Sequence, residues 1–162
     1  MKSMDKLIKF FDKIADIGGY ISSVFMIFIV TLILLEIFLR TFFNTSTLIS
    51  DEYSAYFFVV VVMFGLAYTF KEDGHIRITI ILGRLNPKLN KILDIICLII
   101  ALLLTIFMFY YSLKMVIDTH ALDMRADSIA ETPLFIPQIA LPVGYFIFIL
   151  SIVGKLFRRI RK

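Results

Sequence analysis

The sequence has one cysteine, no tryptophan, two histidines and four prolines in 162 residues. A single cysteine, Cys97, excludes an internal disulfide, a Cys-x-x-Cys redox pair and a structural zinc site. His75 and His120 are too few to ligate two haems in a helical bundle. Charge is scarce as well: 19% of residues are charged, against about 25% in a soluble domain. What is abundant is apolar surface. Some 60% of residues are apolar, where soluble domains have about 45–50%. No water-soluble fold of this size could hide so much, so the chain reads as an integral membrane protein. That excludes most soluble enzymes and ordinary nucleic-acid binders, and no nucleic-acid partner is expected. The net charge of +4 fits basic anchors at a membrane surface. No nucleophile–base motif, phosphate loop or metal-ligand spacing occurs. No catalytic, cofactor-binding or metal-binding residue is therefore assigned, and the chain is not expected to be an enzyme.

Four stretches carry no charge and are long enough to cross a bilayer: residues 17–35, 53–70, 95–113 and 132–154. A span needs about 20 mostly apolar residues. No alternating pattern suggests strands, and only helices satisfy their backbone groups in lipid within one segment. The fold class is therefore an all-α integral membrane protein, a single domain over 1–162. Its spans are predicted at about 17–39, 53–71, 92–113 and 137–157. The first is too long for a signal-peptide core and lacks a cleavage site, so it reads as an uncleaved anchor. Lysine and arginine set the orientation. Fourteen lie in the N-terminal segment, the loop after span two and the tail, whereas only Arg40, Lys114 and Arg125 lie in the other two loops. The positive-inside rule places both termini in the cytoplasm.

Residues 4–16 form an amphipathic helix, with Met4, Leu7, Ile8, Phe11, Ile14 and Ala15 on one face. It is expected to lie on the inner membrane surface with its lysines toward lipid phosphates; a plain cytoplasmic extension of span one is the alternative. Ser50 is placed to cap span two, with Asp51 and Glu52 in its first turn. Asn86-Pro87 opens a helix predicted to reach about Thr119, longer than the hydrocarbon core requires. Pro133, Pro137 and Pro142 predict irregular first turns for span four.

Glu36 is the acidic residue of the first span, and Arg40 lies four residues on, the favourable order for a helical ion pair. An intramembrane carboxylate is also a candidate for ion coupling. Cys97, Ala101 and Thr105 recur every fourth residue and form a possible small-residue seam for another helix. Cys97 suits packing better than chemistry, since a thiol in apolar surroundings is a poor thiolate. Asp73-Gly74-His75 reads as a turn, and His75 has no cluster of metal ligands around it.

Taken in order, several runs resemble one family. They are Glu36-Ile37-Phe38-Leu39-Arg40, Asp51-Glu52-Tyr53, Phe64-Gly65-Leu66-Ala67, Gly74-His75-Ile76, Pro133-Leu134-Phe135-Ile136-Pro137 and Ala140-Leu141-Pro142-Val143-Gly144. Over about residues 24–154 the chain resembles the small, DctQ-like membrane subunit of TRAP (tripartite ATP-independent periplasmic) transporters. The resemblance implies a bacterial inner-membrane scaffold whose partners are a large elevator-type permease subunit, a periplasmic binding protein and membrane lipids. It implies sodium-coupled import of an organic acid, of the sialic acid or dicarboxylate type. Sodium sites are expected in the partner subunit, and no cofactor in this chain. Glu36, Arg40, Glu52, Gly65, Gly74 and His75 then become residues of fold and subunit contact. The chain departs from the family in lacking tryptophan: Ile49-Ser50 and Val59-Val60 stand where relatives often carry one. The alternative is a small proton-coupled multidrug exporter using Glu36, against which the strong lysine and arginine bias argues.

Overall fold

A computed structural model of the chain describes residues 2–72 and 86–161. Five helices follow one another: α1 Lys2–Phe43, α2 Ser50–Lys71, α3 Pro87–Ala121, the single turn α4 Phe135–Gln138, and α5 Ala140–Arg161. Among the described residues there is no strand beyond one isolated bridge, Arg125 to Pro133. Four of the helices are long and apolar enough to cross a membrane. No more than 28% of the residues in any span are buried inside the chain. The remaining apolar surface has to meet lipid or another protein, because water would not stabilise it.

The long helices run up, down, up and down. One end of the bundle gathers the start of α1 and the end of α5, and is called the terminal end below. The other carries the 44–49 turn and residues 122–134, and is called the hairpin end. α5 packs against each of the other three long helices. A small core of Ala15, Ala67 and Ile147, with Phe64 and Phe148 against it, marks where α1, α2 and α5 meet. Glycines allow that approach. A Cβ on Gly18 would lie 2.8 Å from the Phe64 carbonyl oxygen, and one on Gly144 would lie 2.6 Å from Met63 Cβ. Both are closer than packed atoms tolerate, so these two positions set how near α2 comes to its neighbours. Gly65 faces Ser22, whose hydroxyl donates to the Val61 carbonyl at 2.8 Å.

α3 meets α5 along Leu98, Thr105, Ser112 and Thr119, all buried and seven residues apart. That period belongs to helices crossing at a shallow left-handed angle. The hydroxyls of Thr105 and Ser112 donate to the carbonyls of Ala101 and Phe109, so the buried face leaves neither unsatisfied.

Two local expectations change. The amphipathic segment is helical, but no break separates it from span one; α1 is one rod of 42 residues, about 63 Å long. Of its apolar stripe, Ile8 and Ala15 are buried against protein, whereas Leu7 and the neighbouring Phe10 stay exposed. Ser50 does not cap α2. It is the first helical residue, and its hydroxyl reaches across to the Leu32 carbonyl at 3.5 Å. The start of the last span is divided at Ile139 into α4 and α5, as three prolines in ten residues require. Asn86 does cap α3, its side chain accepting from the Lys88 N–H.

Candidate functional site

Glu36 is the hub of the hairpin end. Its side chain is buried, although the helix around it is largely exposed. Oε1 accepts from Arg40 Nε at 2.7 Å and from the Ser46 hydroxyl at 2.5 Å. Oε2 accepts from the Thr47 N–H at 3.0 Å and from the Thr47 hydroxyl at 2.5 Å. Ser46 in turn accepts from the Leu48 N–H at 3.2 Å. The carboxylate therefore ties the end of α1 to the turn that leads into α2. That turn holds Leu48 at φ 60°, a backbone conformation a leucine adopts only when its surroundings impose it. The expected Glu36–Arg40 pair is present. Ser46 and Thr47 are partners that no helical spacing announces, since they lie outside any periodic segment.

Glu52 sits in the first turn of α2 and accepts from the Tyr56 hydroxyl at 2.7 Å. Beside it, the Thr132 hydroxyl donates to Tyr53 at 3.4 Å and joins the head of α2 to the segment before α4. Residues 122–134 form a closed hairpin. The N–H of Ala126 donates to Thr132 at 2.9 Å, that of Leu134 to Met124 at 3.0 Å, and that of Glu131 to Ser128 at 3.1 Å.

The terminal end is held by charge. Asp5 pairs with Arg161 and Asp12 with Arg158, joining α1 to α5. Asp16 pairs with Lys71 of α2, and Asp94 of α3 with Arg159 at 2.5 Å. Lys155 donates to the Phe70 carbonyl at 2.9 Å and lies over the Phe70 ring. These acidic partners in α1 and the glycine pair Gly18-Gly19 go unnoticed when the sequence is read for sites. Their signal is a line of acids, Asp5, Asp12 and Asp16, at one edge of the polar face that carries the lysines, and adjacent small residues within a span.

The remaining candidates separate. Gly65 lies at the α1–α2 contact. Thr105 is buried against α5, Ala101 is half-buried beside it, and Cys97 is exposed, off the contact line. Within the chain the seam is therefore the seven-residue line through Leu98 and Thr105, and Cys97 takes no part in it. Gly74 and His75 lie outside the described residues. Among the described residues no three His, Cys, Asp or Glu side chains cluster as metal ligands would.

The outcome is two tied ends with a wide apolar girdle between them, and comparison with known proteins agrees with that design. The family model for the DctQ component of tripartite ATP-independent periplasmic transporters matches residues 29–162. A protein of Haemophilus influenzae provisionally named TRAP transporter small permease protein is 28% identical over 145 residues, covering 90% of this chain and 86% of that one. A second protein of the same name and organism is 32% identical over 65 residues, 40% of each chain. With four membrane-length helices in the expected order and a family match over most of its length, the chain belongs to the DctQ component family of TRAP transporters.

Proposed function

We propose that the chain is the small scaffold subunit of a sodium-coupled TRAP transporter that imports an organic acid of the sialic acid or dicarboxylate type. On this reading it lies in the bacterial inner membrane. Both termini face the cytoplasm and the hairpin end faces outward. It packs against and stabilises the large elevator-type subunit and helps dock the periplasmic binding protein. The sodium and substrate sites belong to the large subunit.

The observation that carries this reading is the family match over residues 29–162. Three features support it. α3 offers one buried line to α5 and leaves Ile100, Leu103, Leu104 and Phe107 exposed, an apolar face that suits lipid or a large membrane partner. The uneven distribution of lysine and arginine favours inward termini. Glu36 is engaged by four donors in a clasp, which favours scaffolding over proton exchange at that carboxylate. Mild detergent purification of the tagged chain from its native membrane, followed by mass spectrometry, tests the reading. A stoichiometric permease of many spans is expected. A homo-oligomer alone would overturn it and return Glu36 to candidacy for proton-coupled export.

A further inference from the structure

Residues 122–134 display apolar side chains where water should be. The charge-free part of α3 ends at Leu113, and the helix continues through Lys114, Asp118 and His120 to Ala121. Those eight extra residues carry the root of the hairpin about 12 Å beyond that stretch, and its return arm comes back to the head of α2, where Thr132 meets Tyr53. At its tip Ile129 is 75% exposed, the highest exposure of any large apolar residue described. Leu122, at the root, is 71% exposed.

This is not the signature of a loose loop. Four backbone hydrogen bonds close the hairpin: three within it, and a fourth from the Met124 N–H to the Thr119 carbonyl of α3 at 3.1 Å. The His120 ring packs against Phe135 at 4.7 Å, and Thr132 is bonded to Tyr53. The turn that carries Ile129 runs from Ser128 to Glu131. Asp123 and Glu131 are both held at φ 45°, in the left-handed region. Such residues cost on the order of 1 kcal/mol or more each and persist only where the surroundings impose them. The fold therefore holds an isoleucine out on a rigid, strained support.

The segment that carries it is acidic. Asp118, Asp123, Asp127 and Glu131 are exposed, against Lys114 and Arg125 as the only lysine or arginine of residues 114–134. Among the described residues only Asp123 of these four has an ion-pair partner, Arg125 at 3.5 Å. An exposed apolar residue on a hairpin rich in carboxylates matches an apolar cup rimmed by lysine or arginine. Such pairing concentrates affinity at the anchor and speeds encounter through the charges.

We infer that the 122–134 hairpin is a docking knob for a soluble protein with a basic-rimmed apolar cup, which, resting on the function proposed above, is the periplasmic binding protein of the same transporter. The occupant is soluble because the hairpin lies at the outer end of the spans and carries three exposed acids, with Asp118 on α3 at its root. The test uses proteoliposomes holding the assembled membrane complex, with the purified binding protein of the same system added stepwise. Ile129→Ser and Asp127→Lys with Glu131→Lys are compared with the native chain, after co-purification with the large subunit is verified for each. Both variants are expected to need about tenfold more binding protein for half-maximal uptake, a shift of about 1.4 kcal/mol. The charge reversal is also expected to flatten the salt dependence. Assembled variants with unchanged dependence on binding protein would overturn the inference while leaving the scaffold reading intact. Failure of the native chain to co-purify with a permease would instead sink the scaffold reading. Because the chain has no tryptophan, Ile129→Trp provides a second reading in vesicles of the full chain. Emission expected from an aqueous site, unquenched by brominated lipid, supports the knob. Quenching by the lipid, or a disulfide between two copies through Ile129→Cys, would overturn it in favour of a membrane or self-association contact.

Discussion

At the scale of single residues, one carboxylate organises a whole end of the bundle. Glu36 accepts four hydrogen bonds and anchors a turn that contains Leu48 in a left-handed conformation. Its partners Ser46 and Thr47 are ten and eleven residues away, so the carboxylate works as a clasp between helices rather than along one. Glu36→Ala should therefore lower the thermal midpoint of the detergent-solubilised chain by roughly 5 °C or more, and Glu36→Gln by less, because glutamine keeps one acceptor. Arg40→Ala should cost less than either, since the arginine is well exposed and the carboxylate keeps three other donors. A fluorescence-detected melt in one detergent orders the three variants. The Glu36–Arg40 pair is legible in the sequence because helical geometry fixes which residues are neighbours four positions apart. Ser46 and Thr47 are not, because a turn's path depends on strain and hydrogen bonding that have no period.

At the scale of elements, glycine decides how closely helices approach. The three contacts differ in what a methyl group would meet. At Gly18 and Gly144 it would strike backbone or Cβ atoms of α2 within 3 Å. At Gly154 it would touch the Phe11 ring at 3.5 Å, an ordinary contact. Gly18→Ala and Gly144→Ala should each destabilise the bundle by about 1–3 kcal/mol through forced separation. Gly154→Ala should be near neutral, and denaturation of the three variants in mixed micelles checks the contrast. Helix content and order follow from apolar runs, caps and prolines, and so are readable. The pairing of faces is less so. A four-residue line through Cys97, Ala101 and Thr105 and a seven-residue line through Leu98, Thr105 and Ser112 both fit the composition of α3. Only the packing against α5, which buries Leu98, Thr105 and Ser112 and leaves Cys97 exposed, selects the second. In the same way the amphipathic 4–16 segment fits a membrane surface as well as a protein partner, and the fold buries Ile8 and Ala15 while leaving Leu7 and Phe10 open.

At the scale of the whole molecule, the first and last turns of the chain are fastened to each other. Asp5 and Asp12 meet Arg161 and Arg158. Half-exposed pairs of this kind are worth about 0.2–1 kcal/mol each, so their effect is on order more than on stability. Asp12→Arg should release the start of α1 and speed its cleavage by protease in detergent. Combining it with Arg158→Asp should restore protection, and time-resolved digestion of the three proteins reads this directly. Orientation is testable in the same chain. With Cys97 replaced by serine, Thr45→Cys should react with a membrane-impermeant maleimide in intact spheroplasts, whereas Lys162→Cys should react only after lysis. The opposite pattern would reverse the proposed topology.

The position of α5 also carries a consequence for how the molecule is made. It packs on each of the other three long helices, yet it leaves the ribosome after all of them. α1 and α2 can pair early through their glycine contacts, because both are present once the first 72 residues have emerged. α3 has its buried line ready but must wait for α5 before that line is covered. Assembly is therefore closed from the C-terminus, and a chain interrupted before residue 140 strands an inserted helix with its hydroxyl-bearing face open to the bilayer. Arrival of α5, rather than insertion of the three helices before it, is what covers the buried line of α3.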